Sequence, residues 1–153
     1  MGKSVKAIPD GYHALTPHLV VSDAKKAVAF YQKAFGAREL FSFPTPDGGI
    51  AHAQLQIGDS VLMLCQECEE RGMRSPKKVG GVSSSLFLYV ADVDASFEKA
   101  VAAGAKSKQP VADMFWGDRY GSVTDPFGHD WEIATHVKDV SPEELQAAMA
   151  QET

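Results

Sequence analysis

The feature that most constrains what this chain can fold into is an internal repeat. Leu19-Val20-Val21-Ser22-Asp23 returns as Leu88-Tyr89-Val90-Ala91-Asp92, 69 residues further on, and Gly36-Ala37 returns as Gly104-Ala105. Each copy reads as a strand, a helix and a glycine stop. After Asp23, residues Ala24, Ala27, Val28, Tyr31 and Phe35 recur at the spacing of a helix packed by one face. After Asp92, Val93, Phe97, Ala100 and Val101 trace the same stripe. Asp23 and Asp92 are expected N-caps, and Gly36 and Gly104 expected terminators.

Strand-like runs follow each helix. In the first copy they cover 39–43, 50–57 and 60–65, separated by Pro46-Asp47-Gly48-Gly49 and Gly58-Asp59. In the second they cover 111–115, 119–124 and 130–136, separated by Trp116-Gly117-Asp118 and Asp125-Pro126-Phe127-Gly128. Each copy is therefore a βαβββ unit, and the expected class is α+β, a cupped mixed sheet made from two such modules. The expected organisation is one domain over 1–153, with module 12–66, module 82–137 and a charged connection from Glu67 to Gly81. Ser141-Pro142-Glu143-Glu144 carries the capping-box pattern, with Pro at the first helical position, and predicts a C-terminal helix over 141–151.

Composition excludes several classes of partner. Lys and Arg total 15 against 20 Asp and Glu, for a net charge of −5, and the basic residues form no stripe, so a nucleic-acid partner is not expected. No stretch approaches the ~20 apolar residues of a membrane helix, and the N-terminal residues have no apolar export segment. The expected location is the cytoplasm, with no membrane partner. Cys65 and Cys68 are the two cysteines. Their C-x-x-C closes a strand rather than opening a helix, so Cys65 reads as structural and Cys68 as an exposed, incidental thiol.

One helix per module covers one face of its sheet, so the other face must find a partner or line a cavity. Strand alternation says which residues share it. Thr16, His18 and Val20 oppose Leu19 and Val21; His52, Gln54 and Gln56 oppose Ala51, Ala53, Leu55 and Ile57; Phe87 and Tyr89 oppose Leu86 and Leu88; Glu132 opposes Trp131 and Ile133. His18, His52, Gln54, Tyr89 and Glu132, with Phe87 and Thr16 between them, are polar groups in an apolar frame, the description of a small-molecule site. His18 and His52 can be ligand-contacting imidazoles or hydrogen-bonded strand histidines. Glu132, on a central strand, is costly to bury without a partner and points to a site. Trp116 and Arg119 flank a tight turn where they can form a rim.

Pro17-His18-Leu19-Val20-Val21-Ser22-Asp23, Phe30-Tyr31-Gln32-Lys33-Ala34-Phe35-Gly36-Ala37 and Asp125-Pro126-Phe127-Gly128-His129-Asp130-Trp131-Glu132 resemble the vicinal oxygen chelate superfamily over roughly residues 12–137. This group contains glyoxalase I, extradiol dioxygenases, fosfomycin-modifying enzymes and bleomycin-resistance proteins. Asp113-Met114-Phe115-Trp116-Gly117-Asp118-Arg119-Tyr120-Gly121 looks like its PhnB-like branch. The resemblance implies a divalent metal (Zn, Fe, Mn or Ni) held by one side chain from the first and one from the last strand of each module. Those positions map to Thr16 and Gln54 in one copy and Ser85 and Glu132 in the other, a set with one anionic ligand.

Two readings follow. The first is a small-molecule-binding protein of this fold, a homodimer, with its ligand contacted by His18, Gln54, Phe87, Tyr89, Trp116 and Arg119. The second is a divalent-metal lyase, isomerase or dioxygenase acting on a vicinal-oxygen substrate, with His18, His52 and Glu132 as ligands and Glu132 as catalytic base.

Overall fold

The computed structural model describes Gly2 and residues 4–152, so the expected domain limits Met1 and Thr153 lie outside the described residues. The chain divides into two compact units between Gly81 and Val82.

In the first unit, β1 (His18–Val21) leads into α1 (Ala24–Phe35), followed by β2 (Arg38–Pro44), β3 (Ile50–Ile57) and β4 (Ser60–Gln66). The sheet order is β1-β4-β3-β2, with β1 parallel to β4 and the other pairs antiparallel. Val21, Ala53, Leu55 and Leu64 are fully buried, as are Ala24, Ala27 and Tyr31 of α1. Burying a Leu of this kind stabilises the fold by about 1.5–3 kcal/mol. Asp23 caps α1 by accepting from the Lys26 amide at 3.0 Å. Gly36 ends the helix at φ 65, a left-handed conformation that favours glycine.

A 3-10 turn (Glu69–Arg71) and the short α2 (Pro76–Val79) occupy the connection. Cys65 and Cys68 are both half-buried free thiols. Cys68 is thus less exposed than expected, because its amide donates to the Met73 carbonyl at 2.8 Å and holds the turn closed.

The second unit repeats the plan with β5 (Ser85–Tyr89), α3 (Val93–Ala103), β6 (Lys106–Asp113), β7 (Asp118–Thr124) and β8 (Asp130–His136), in the order β5-β8-β7-β6. Asp92 caps α3 through the Ala95 amide at 3.1 Å. Val93 and Ala100 are buried, but Val101 remains 40% exposed. Successive helical residues point about 100° apart, so Val101 falls at the margin of the helix–sheet contact. β6 starts five residues before the expected 111, and Met114 and Phe115 fall in the turn. It is a polar edge strand carrying Pro110, with two register shifts against β7, and therefore has no hydrophobic alternation to read.

The repeat extends to a side-chain clasp. Gln66, ending β4, accepts from the Ala24 amide at 2.8 Å and donates to the Ser22 carbonyl at 2.6 Å. Thr135, near the end of β8, accepts from the Val93 amide and donates to the Val90 carbonyl, both at 2.9 Å. In each unit the last strand satisfies an amide that the first helical turn leaves without an intrahelical partner.

The C-terminal helix, α4, runs Pro142–Glu152. Its capping box forms as expected: Ser141 Oγ accepts from the Glu144 amide at 3.2 Å, and Glu144 Oε2 accepts from the Ser141 amide at 3.4 Å. None of its described residues is buried. The segment before it is fixed at Gly117, which is approached so closely that a Cβ there would lie 2.0 Å from the Lys138 carbonyl oxygen.

Candidate functional site

In the first unit the face away from α1 carries His18 on β1, Met63 and Cys65 on β4, His52 and Gln54 on β3, and Phe41 and Phe43 on β2, joined by register. The His18 and His52 rings stack with centroids 5.6 Å apart and planes 22° apart. Phe43 and Phe41 lie 6.1 and 6.5 Å from His52. Burial, and then the neighbouring His18, pull the His52 pKa below its ordinary value, which favours the neutral ring. Gln54 Oε1 accepts from the Tyr12 hydroxyl, and its amide nitrogen lies 3.4 Å from His52 Nε2.

Residues 7–16 lie across part of this face and border an open cavity of about 370 Å³, whose walls include Ile8, Pro9, Tyr12, Phe41, Gln54 and Met63. His13 fixes this strap through a 3.0 Å contact with the Asp59 carbonyl oxygen. Thr16 precedes β1 and lines the cavity, its hydroxyl donating to the His13 carbonyl at 3.3 Å.

In the second unit the corresponding face carries Ser85, Phe87 and Tyr89 on β5, Glu132 on β8, and Tyr120 and Ser122 on β7. Glu132 accepts from the Ser85 hydroxyl at 2.5 Å and from the Tyr120 hydroxyl at 2.8 Å. Burial, and then this bond to a carboxylate, push the Tyr120 phenol up, so it stays a donor at neutral pH. Phe87 stacks on Tyr120 with centroids 5.9 Å apart and touches Tyr89 at 5.1 Å; Trp116 meets Tyr120 edge-on at 5.7 Å. Beside these rings is a cavity of about 510 Å³ that includes Ser83, Ser84, Lys108, Gln109, Asp130 and Glu132 in its walls.

A second polar centre on this face was not legible in the sequence. Asp118, 2% exposed, accepts from the Tyr89 hydroxyl at 3.0 Å and the Trp116 indole N–H at 3.1 Å. His136 Nδ1 lies 2.8 Å from its other oxygen, and His136 Nε2 lies 2.8 Å from Asp139. The two carboxylates raise the His136 pKa, Asp139 contributing most. Asp118 reads in sequence as a turn residue and His136 as a strand end; the available signal was that both alternate onto the face of Tyr89. Arg119 takes the other face of β7. Its guanidinium bonds Asp94 through two nitrogens at 2.7 and 2.9 Å and Asp113 at 3.2 Å, away from Trp116 and Tyr120.

The strand pairing corrects one mapping. Gln54 lies on β3, the third strand of its unit, not on the last. Glu132 pairs with Phe87 across β5 and β8, as Met63 pairs with His18 across β1 and β4, so the first unit's counterpart of Glu132 is Met63. The implied metal positions then hold Thr16, Met63, Ser85 and Glu132, and Ser85 and Glu132 bond each other. His18 and His52 belong to the first unit and Glu132 to the second. Among the described residues no group of three or more His, Cys, Asp and Glu forms a metal cluster. This donor set does not fit a divalent metal.

Paired βαβββ units with polar, aromatic-lined faces opposite the helices define a class of protein. The Glyoxalase family model, described as the Glyoxalase/Bleomycin resistance protein/Dioxygenase superfamily, matches residues 12–133. The chain belongs to this family. An uncharacterized protein of Mycobacterium bovis, Mb0911c, is 47% identical over 141 residues, covering 90% of this chain and 92% of that protein. The crystal structure of TioX from Micromonospora sp. ML1 is similar at TM-score 0.65 and 31% identity, over 82% of this chain and 99% of that one. The fold also matches a mutant of FosX, a fosfomycin resistance protein of Listeria monocytogenes, complexed with Mn(II) and 1S,2S-dihydroxypropylphosphonic acid. There the TM-score is 0.61 and the identity 20%, over 87% of this chain and 94% of that one. No described helix of the chain is long and apolar enough to cross a membrane.

Proposed function

We infer that the protein binds a small organic molecule against the sheet faces opposite α1 and α3, and that its two units together make one glyoxalase-like domain of the PhnB-like branch. The observation that carries this reading is that equivalent positions of both units line a cavity in which polar groups meet aromatic rings, Tyr12 and Phe41 in the first unit and Tyr120 in the second. His18 and Gln54 are the proposed ligand contacts in the first unit, and Phe87, Tyr89 and Trp116 in the second. Glu132 is the proposed centre of any proton transfer, since its carboxylate is held by two hydroxyl donors and by no cation among the described residues. Arg119 is proposed to act at a distance from the ligand, bracing the start of α3 through Asp94. The segment Asp113–Gly121 supports the branch assignment.

We propose a cytoplasmic homodimer; the uncovered aromatic residues Phe41, Phe43, Phe87 and Tyr89 support the pairing, in which a second copy shields part of these faces from water. The test is a thermal-shift screen of small organic compounds on the intact protein, repeated on His18→Ala and Phe87→Ala. Compounds that raise the Tm of the parent but not of these variants are expected; a screen in which no compound moves the Tm would count against the reading. Elemental analysis of the same protein is expected to find less than one equivalent of divalent metal per chain. A full equivalent lost in Glu132→Ala would favour the metal-dependent lyase or dioxygenase instead.

A further inference from the structure

The second unit's cavity has a charge pattern that selects among organic ligands. Asp130 and Glu132 alternate on β8 and both line it. Asp130 is already neutralised: Lys108 Nζ lies 2.5 Å from one carboxylate oxygen, and the Thr124 hydroxyl donates to the other at 2.7 Å. Glu132 differs, because its partners are the Ser85 and Tyr120 hydroxyls and no cation among the described residues pairs with it. A carboxylate offers about four acceptor sites, so the two hydroxyls leave roughly half of that capacity facing the cavity. The remaining polar wall, Ser83, Ser84, Gln109 and Ser122, is neutral.

We propose that this cavity takes an organic cation, an amine whose N–H groups are received by Glu132 while its apolar part lies on the Tyr120 ring, against which Phe87 stacks. This rests on the reading of the face as a ligand site and adds the ligand's charge. One uncompensated carboxylate balances one monocation, and charge-assisted N–H···O bonds are stronger than neutral ones. Tyr120 lines the cavity and donates to Glu132, so its ring gives the ammonium-bearing carbon an aromatic face on which cation–π attraction adds to apolar contact. An anionic ligand would meet Glu132 without a compensating cation, since Lys108 is engaged. A divalent metal would find one free carboxylate among protonated hydroxyls, whereas such ions take several oxygen or nitrogen ligands with lone pairs aimed inward.

The test is isothermal titration calorimetry of the full chain with three probes of one shape, phenethylamine, 2-phenylethanol and phenylacetate, and separately with MnCl2. Phenethylamine is expected to bind at one site per chain, more tightly than the alcohol and far more tightly than the acid. Glu132→Gln, which keeps the side chain's size and an acceptor for one of the two hydroxyls, is expected to weaken it by at least about tenfold. Lys108→Met, which frees Asp130, is expected to tighten it roughly threefold, an effect that loss of structure would not produce. Phenylacetate binding as tightly as the amine, or an unchanged affinity in Glu132→Gln, would overturn the proposal and leave the ligand site standing. One equivalent of Mn(II) bound by the parent and lost in Glu132→Gln would overturn it in favour of a metal site. Silence from all three organic probes would take down both the proposal and the reading beneath it.

Discussion

The two units are copies of one plan that agree on the helix side of the sheet and disagree on the other. Leu64 and Ile133 occupy equivalent positions and are both fully buried beneath their helices; Asp23 and Asp92 cap in the same way; Gln66 and Thr135 make the same clasp with different chemistry. On the far side, the cavity positions have diverged: Thr16 and Ser85, Phe41 and Gln109, Gln54 and Ser122, Met63 and Glu132. The first unit's cavity is lined mainly by apolar side chains, with Tyr12, Thr16 and Gln54 among them, and is crossed by residues 7–16, whereas the second's is polar and carries the carboxylate without a cation. Packing constrains one face of a repeat far more tightly than it constrains the other, so the free face is where new chemistry is acquired.

The shared core is the first place to break the likeness between the units. Leu64→Ala and Ile133→Ala should each destabilise the protein by about 2–5 kcal/mol in denaturant unfolding. Similar losses would support equivalent cores, and a neutral result at either position would break the equivalence. Next, Asp118→Ala removes an acceptor that serves Tyr89, Trp116 and His136 in the second unit only. A loss of about 1–3 kcal/mol is expected, together with altered Trp116 fluorescence. The caps come third: Asp23→Ala and Asp92→Ala should each lose about 1 kcal/mol.

The smallest effect is a pH dependence of opposite sign in the two units. The folded pKa of His136 is raised, so its contribution is fully present below the unfolded value near 6.5 and is lost as pH rises through the folded pKa. The folded pKa of His52 is lowered, so protonation favours the unfolded chain and stability falls as pH drops below about 6.5 towards the folded pKa. An NMR titration of the two imidazoles should place them on opposite sides of the ordinary histidine value. Both on one side would mean that either the burial of His52 or the carboxylate contacts of His136 do not hold in solution.

Much of the helix side was legible in the sequence because it obeys local rules: a 3.6-residue stripe, an Asp before each helix, a capping box at Ser141. The far side was legible only where alternation carries it, which put His18 with His52 and Phe87 with Glu132. Three features escaped for physical reasons. β6 is an edge strand with Pro110 and polar residues, and edge strands need no buried alternation. The last-strand position was mapped to Gln54 although 60–65 already read as the last strand; that Met63 is the residue facing Gln54 is set by register, which no local pattern reports. Asp118 has no motif, and its role comes from rings supplied by three other segments. Arg119 could have been assigned to the helix side by parity alone, since it adjoins Tyr120 on one strand.

The clasp made by Gln66 and Thr135 has a kinetic consequence. It joins each helix start to a side chain 42 residues later, after the whole hairpin has intervened. The Ala24 and Val93 amides can be sequestered only when the first helical turn and the last strand are in place together. Their exchange with solvent deuterium should therefore report opening of a whole unit rather than fraying of a helix end, giving each half of the molecule its own internal clock for cooperative unfolding.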